Sequence, residues 1–132
     1  MMNNHIGIYL SGSITHDPDY RRKFDLAERL IHTEAVPEAD IFNPAAHQDL
    51  PADGKIEEET WAAYLLRDLL VLFQIRCKAN FAILVSLPGH EKSKGASLER
   101  LFAEKLGFHV LDIREMFPDW EKRLAEELGA KP

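Results

Sequence analysis

A single cysteine, Cys77, in 132 residues leaves no disulfide framework. Such usage fits a reducing compartment, and a cytoplasmic location is expected. No apolar run approaches the roughly 20 residues needed to cross a bilayer, and Met1-Met2-Asn3-Asn4-His5 lacks the basic and apolar regions of a signal peptide. Cations are in the minority, with 16 Lys and Arg against 22 Asp and Glu and a net charge of −6. That shortage argues against a membrane surface or a nucleic-acid polymer as partner, because neutralising phosphates takes Lys and Arg in number. A small anion needs only a local cradle and is not excluded. The six histidines are scattered, with no His-x-x-x-His or Cys/His cluster. Neither a metal site nor a cofactor is therefore anticipated.

What the chain does contain is an ordinary globular composition, 45% hydrophobic and 29% charged. Its length suits one domain spanning residues 1–132, since domains cluster at about 100–150 residues. Ile6 to Leu10 reads as a short strand, followed by the loop Ser11-Gly12-Ser13-Ile14-Thr15-His16. Asp17 before Pro18 predicts a helix start, carried on by Tyr20, Phe24, Ala27 and Ile31 at helical spacing. Ala39 to Asn43 reads as a second strand stopped by Pro44, and Ala45 to Lys55 as a surface loop. A long helix is predicted from Glu57 to Ile75, apolar on most faces and so expected to be well buried. Phe81 to Leu87 is apolar throughout, as a central parallel strand should be. A third helix runs from Ala96 to Leu106 with Gly107 as its cap, Phe108 to Asp112 is a fourth strand, and a last helix ends at Gly129. Strand and helix alternate four times. The predicted class is α/β: a three-layer α/β/α domain around a small parallel sheet of four to five strands, flavodoxin-like or Rossmann-like.

In such sheets ligands bind beyond the carboxyl ends of the strands. Three loops converge there: Tyr9 with Ser11 to Ile14, Asn43 with Pro44, and the stretch from Pro88 to Glu99. The last joins a Ser-Lys-Gly segment suited to an anion with a glutamate one turn into the following helix. Arg67 and Asp68 interrupt Leu65-Leu66 and Leu69-Leu70, and charges in an apolar helix are rare unless paired or used.

Taken in order, Tyr9-Leu10-Ser11-Gly12-Ser13-Ile14, Asp68 and Ser93-x-Gly95-x-x-x-Glu99 resemble the nucleoside 2-deoxyribosyltransferase superfamily. The pattern is most similar to its 2'-deoxynucleoside 5'-phosphate N-hydrolase branch and to small relatives with a Pro-Gly-x-x-x-Ser-x-Gly-Ala-x-x-Glu loop. The likeness covers roughly Ile6 to Val110. It implies that Glu99 attacks the anomeric carbon of a deoxyribose, that Tyr9 orients Glu99, and that Asp68 protonates the departing base. Ser11, Gly12, Ser13, Ile14, Asn43, Ser93 and Gly95 are the residues expected to line the substrate, with Ser13, Ser93 and Gly95 at the sugar 5' end. Ser93 stands where transferases of free nucleosides carry an aspartate. A serine there admits a 5'-phosphate that an aspartate would repel. Thr15 stands where the monophosphate hydrolases carry an arginine, and His90 where relatives often have Trp. The interval from Asp68 to the third strand is about one helical turn longer than in those hydrolases, which leaves Tyr64 and Arg67 as alternatives to Asp68.

The implied activity is cleavage of the base–sugar bond of a 2'-deoxynucleoside 5'-monophosphate through a covalent glycosyl-Glu99 intermediate. A deoxyribosyltransferase that exchanges bases and a nucleotide-binding module without turnover are the alternatives. The resemblance also implies a homo-oligomer whose neighbouring subunit closes the pocket, with the apolar helix at residues 57–75 as interface unless it is buried in the monomer. Each residue has a plainer reading too. Glu99 is where a helix dipole favours an acid. Asp68 with Arg67 is a possible structural ion pair, Tyr9 a core residue, Ser93 a helix cap, and Cys77 an inert thiol.

Overall fold

In the computed structural model of the protein, residues 5–14, 17–47 and 57–129 are described. Thr15, residues 1–4 and most of the surface loop anticipated at 45–55 lie outside them. The predicted alternation is present. β1 (Ile6–Ser11) leads to α1 (Tyr20–Leu30), extended by a wider π-helical turn at Ile31–Ala35. β2 (Asp40–Phe42) is followed by a single tight turn at Pro44–His47, then α2 (Glu58–Lys78) and β3 (Phe81–Ser86). α3 (Lys94–Leu106), β4 (His109–Asp112), the short α4 (Ile113–Met116) and α5 (Trp120–Gly129) complete the chain.

The four strands form one all-parallel sheet in the order β2-β1-β3-β4, the flavodoxin-like arrangement in which the direction of winding reverses beside β1. β1 and β3 pair along their whole length, from Ile6 opposite Phe81 to Ser11 opposite Ser86. Because side chains alternate across a strand, one face carries Ile8, Leu10 and Val85 against Phe24 of α1 and Trp120 of α5. The other carries Tyr9, Ala82 and Leu84 against Leu72 of α2 and Ala103 of α3. Two cores, one on each face, make the three layers.

Local chemistry explains most boundaries. α1 begins at Tyr20, later than Asp17-Pro18 suggested, because the Asp17 carboxylate instead accepts the Asp19 N–H at 2.9 Å and pairs with Lys23 at 2.9 Å. α3 begins at Lys94, two residues earlier than the apolar period predicted, because Ser93 Oγ accepts the Ala96 N–H at 3.1 Å. Gly107 ends it at φ +87°, the left-handed conformation that favours glycine. α4, which no periodicity announced, is a single turn held by a capping box between Asp112 and Glu115.

The burial expected for α2 is corrected. Only Asp68 and Leu72 on it are buried, whereas Leu66, Leu70 and Phe73 are 70%, 55% and 50% exposed. Each face of a four-stranded sheet holds two helices, so α2 presses one stripe (Leu69, Leu72 and Ile75) onto the sheet and turns the next stripe outward. Gly7 brings α2 close, since a Cβ there would stand 2.6 Å from Ile75 Cγ2. Among the described residues, no helix is long and apolar enough to cross a membrane.

Candidate active site

At the carboxyl edge of the sheet, on the face covered by α2 and α3, four predicted residues meet. Odd positions of β1 point to that face, which puts Tyr9 and Ser11 on the same side, one above the other. α3 starts just past β3, and Glu99 lies on its second turn, facing inward. The Tyr9 hydroxyl donates to Glu99 Oε2 at 2.8 Å, and the Ser11 hydroxyl donates to Glu99 Oε1 at 2.9 Å. Both carboxyl oxygens of a residue only 6% exposed are thereby engaged. The buried Asp68 arrives from α2, close enough for its charge to act on both Glu99 and Tyr9.

Arg67 serves this cluster from the side. Its Nε and Nη2 donate to Asp68 Oδ1 at 3.1 and 2.9 Å, and its Nη1 donates to the His47 carbonyl at 2.8 Å. The guanidinium also lies over the Tyr64 ring, 5.0 Å from its centroid. Adjacent helix residues do not normally face each other; here the Arg67 side chain folds back along α2 to reach its neighbour. Of the three candidates on α2, Asp68 is the buried acid whose charge acts on Glu99, Arg67 bonds Asp68, and Tyr64 lies under the Arg67 guanidinium.

The electrostatics follow from the geometry. Burial pushes the Glu99 carboxyl up from 4.5 to about 8, helped by the neighbouring Asp68 charge and opposed by the Tyr9 and Ser11 hydroxyls. Burial also leaves Asp68 raised above the ordinary carboxyl value, a rise that the Arg67 guanidinium only partly offsets. Tyr9 is held well above the ordinary phenol range by burial and by the adjacent carboxyls, so it acts as a neutral donor. Of these two buried carboxyls, one meets a guanidinium and the other two neutral hydroxyls, so they hold a proton with different strengths.

The remaining predicted residues are placed as follows. Ser93 caps α3, and Gly95 in its first turn faces the Trp61 ring, which a Cβ there would meet at 3.9 Å. Lys92 and Lys94 are exposed. Gly12 backs onto Leu87 and Phe24, where a Cβ would come within 3.0 Å of Leu87 Cβ. Ile14 packs on the α1–α5 core. Ser13 is half-buried between them. Asn43 turns the other way: its Nδ2 donates to Asp25 at 3.0 Å and Glu28 at 3.1 Å of α1, and its Oδ1 accepts the Ala45 N–H. Its amide shapes the turn after β2 and does not join the Glu99 cluster.

Three neighbours escaped sequence reasoning. Phe42 stacks on Tyr9 with centroids 5.3 Å apart, and the exposed His47 stacks on Phe42 at 5.1 Å and 5°. Ser86 sits opposite Ser11 in the sheet, and among the described residues its buried Oγ has no hydrogen-bond partner. Phe42 and Ser86 were within reach of the strand-end rule that selected Tyr9 and Asn43. No pattern marked His47, which lies in an aperiodic loop. Among the described residues, no group of three or more His, Cys, Asp or Glu side chains is placed to hold a metal ion.

An all-parallel α/β/α sheet with two buried carboxyls at its carboxyl edge defines the class: an α/β/α domain of flavodoxin-like order with its candidate site at the strand ends. Within it, the chain belongs to the family described as Domain of unknown function (DUF4406), whose model matches residues 6–112. That span runs from β1 to the end of β4 and includes every residue of the cluster. Neither a curated protein nor a solved structure matches the chain.

Proposed function

We propose that the protein is an N-glycosidase of the nucleoside 2-deoxyribosyltransferase type that cleaves the base–sugar bond of a 2'-deoxynucleoside 5'-monophosphate. The observation that carries this reading is the buried Glu99 carboxyl held by Tyr9 and Ser11 with a second carboxyl, Asp68, against it. Breaking an N-glycosidic bond builds positive charge on the sugar and negative charge on the base. One carboxylate beside the anomeric carbon and one acid beside the base answer the two charges.

In the proposed reaction, ionised Glu99 attacks the anomeric carbon and forms a glycosyl ester as the bond to the base nitrogen breaks. The electron pair leaves with the base, which takes the Asp68 proton. Water then attacks the same carbon, releasing Glu99 and the sugar phosphate, and its proton returns to Asp68. The 5'-phosphate is assigned to the start of α3, where Ser93 and the Gly95 N–H face the positive end of a 13-residue helix. The wall formed by Phe42 and His47 would take the flat base by stacking. No step requires a metal or cofactor.

A homo-oligomer belongs to the same proposal. Leu66, Leu70 and Phe73 of α2 and Leu98 and Leu101 of α3 form exposed apolar stripes on two helices that pack side by side. Leu66 and Leu98 immediately precede Arg67 and Glu99. A second copy of the chain seated there would bury the stripes and border the mouth of the site.

The test is chromatographic detection of free base from a panel of ribo- and deoxynucleoside monophosphates. Base release by the wild type that is abolished in Glu99→Ala supports the proposal, and equal release by both refutes Glu99 as nucleophile. Adding a second free base separates hydrolysis from transfer, because an exchanged nucleotide appears only if a base replaces water.

A further inference from the structure

Asp68 and Glu99 are both buried, and the charge of one disfavours the charge of the other; two such carboxyls do not both ionise, so the pair shares a proton near neutral pH. Its location depends on what else each carboxyl meets. Glu99 accepts from two neutral hydroxyls, Tyr9 on β1 at 2.8 Å and Ser11 at 2.9 Å. Asp68 accepts from a guanidinium through two N–H groups of Arg67, at 3.1 and 2.9 Å. Charge-assisted bonds to a carboxylate are roughly twice as strong as neutral ones, so the negative charge settles on Asp68 and the proton on Glu99. The other titratable groups at the pair are the Tyr9 phenol, buried and neutral, and Tyr64 on α2 under the guanidinium. The His47 ring from the turn after β2 stacks on Phe42 and completes the surroundings.

The same guanidinium reaches out of α2. Its third donor, Nη1, holds the His47 carbonyl at 2.8 Å, in the Pro44–His47 turn, whose His47 ring extends the aromatic stack on Tyr9. We propose that Arg67 is a positioning residue: shared between the Asp68 carboxylate and the His47 carbonyl, it fixes Asp68 as the ionised member of the carboxyl pair and ties that choice to the placement of the Pro44–His47 turn.

One consequence rests on the glycosidase reading. That distribution is the reverse of the one the reaction needs, which is ionised Glu99 and protonated Asp68. Reaching that state takes a proton transfer between the two carboxyls: the Glu99 O–H breaks, the Asp68 O–H forms, and the net charge of the pair is unchanged. Because Arg67 also holds the His47 carbonyl, a ligand that moves the Pro44–His47 turn loosens the Arg67 fork and favours that transfer.

The experiment is a carboxyl carbon NMR titration of the whole protein labelled at Asp and Glu, in wild type, Arg67→Gln and Arg67→Lys. Asp68→Asn and Glu99→Gln samples assign the two signals. Near pH 7 the wild type should show ionised Asp68 and protonated Glu99. In Arg67→Gln the Asp68 midpoint should rise by about 1–3 pH units, the scale of losing an adjacent opposite charge, and the Glu99 signal should move toward its ionised position. Arg67→Lys keeps the charge but not the fork and should fall between the two. The Ala46 and His47 amide signals should move in Arg67→Gln.

A wild type with protonated Asp68, or an Arg67→Gln protein with the wild-type proton distribution, overturns the assignment. Unmoved Ala46 and His47 signals overturn the tie to the turn. If Arg67→Gln does not fold, the wild type and Arg67→Lys still decide. No substrate enters the measurement. Failure here leaves the glycosidase reading standing, and absence of base release leaves the Arg67 assignment standing.

Discussion

Replacing Glu99 by Gln should make the protein more stable at alkaline pH, by an amount that the buried carboxyl sets. In the unfolded chain Glu99 ionises near 4.5, whereas in the native protein burial and the Asp68 charge hold it protonated up to about 8. Between those values the native state keeps a proton that the unfolded state has released. Raising the pH therefore favours unfolding, with a slope of about 1.4 kcal/mol per pH unit from this one group. The stabilisation is complete below 4.5 and lost as the pH rises through about 8, a cumulative cost of about 5 kcal/mol at most. Glutamine has the shape of the protonated acid, can still meet the Tyr9 and Ser11 hydroxyls, and cannot ionise. The difference in unfolding free energy between Glu99→Gln and wild type should be near zero at pH 4.5, climb through neutrality, and level off above about 8. Guanidinium chloride unfolding followed by fluorescence of the buried Trp120 measures it, at one fixed protein concentration so that self-association does not intrude. A difference that stays flat between pH 5 and 9 would show that Glu99 ionises normally and would refute the account of a proton-sharing buried pair.

Other expectations follow from single contacts. Tyr9→Phe removes a donor that stabilises the Glu99 carboxylate, so the Glu99 midpoint should move above about 8 in an NMR titration. Gly7→Ala places a Cβ 2.6 Å from Ile75 Cγ2 and 3.2 Å from Ala79 Cβ, and should cost about 1–3 kcal/mol of overpacking in the same denaturation assay. Ser93→Ala removes the cap on α3, with a loss of about 1 kcal/mol, and should also weaken phosphate-bearing ligands in calorimetric titration more than nucleosides. Leu70→Glu puts a charge on the exposed α2 stripe and should shift the protein toward monomer in analytical ultracentrifugation. A wild type that sediments as a monomer at micromolar concentration refutes the interface.

The fold was largely legible in the residues because its rules are local. Apolar runs at Ile6 to Leu10 and Phe81 to Leu87 make strands that only a covered sheet can hold, and alternation with helical periods leaves a parallel sheet as the economical packing. Caps were legible where a residue acts on its own helix, as Gly107 and Ser93 do, and a helix start was misplaced where the expected cap made other bonds, as Asp17 does with the Asp19 N–H and Lys23. The exposure of α2 was not legible. Its apolar content describes the helix alone, and which stripe meets the sheet depends on how many helices share that face.

The candidate site divides the same way. Strand ends and motif spacing nominated Tyr9, Ser11, Asp68 and Glu99 without showing that they touch. Contact between Glu99 and Tyr9 spans 90 positions and contact with Ser11 spans 88, and no pattern local to either end encodes it. Strand alternation, register and the crossover of α3 create it together. The direction of Asn43 toward α1, the aromatic stack reaching His47, and the fork of Arg67 on Asp68 were likewise decided in three dimensions. By itself the sequence determined which segments are strand or helix and which residues stand at the carboxyl edge, because backbone preference and hydrophobic period act over a few residues. Only the tertiary structure decided that Glu99 is buried against Tyr9 and Ser11 and Asp68 against Arg67, because burial and the placement of a guanidinium depend on the whole packed chain.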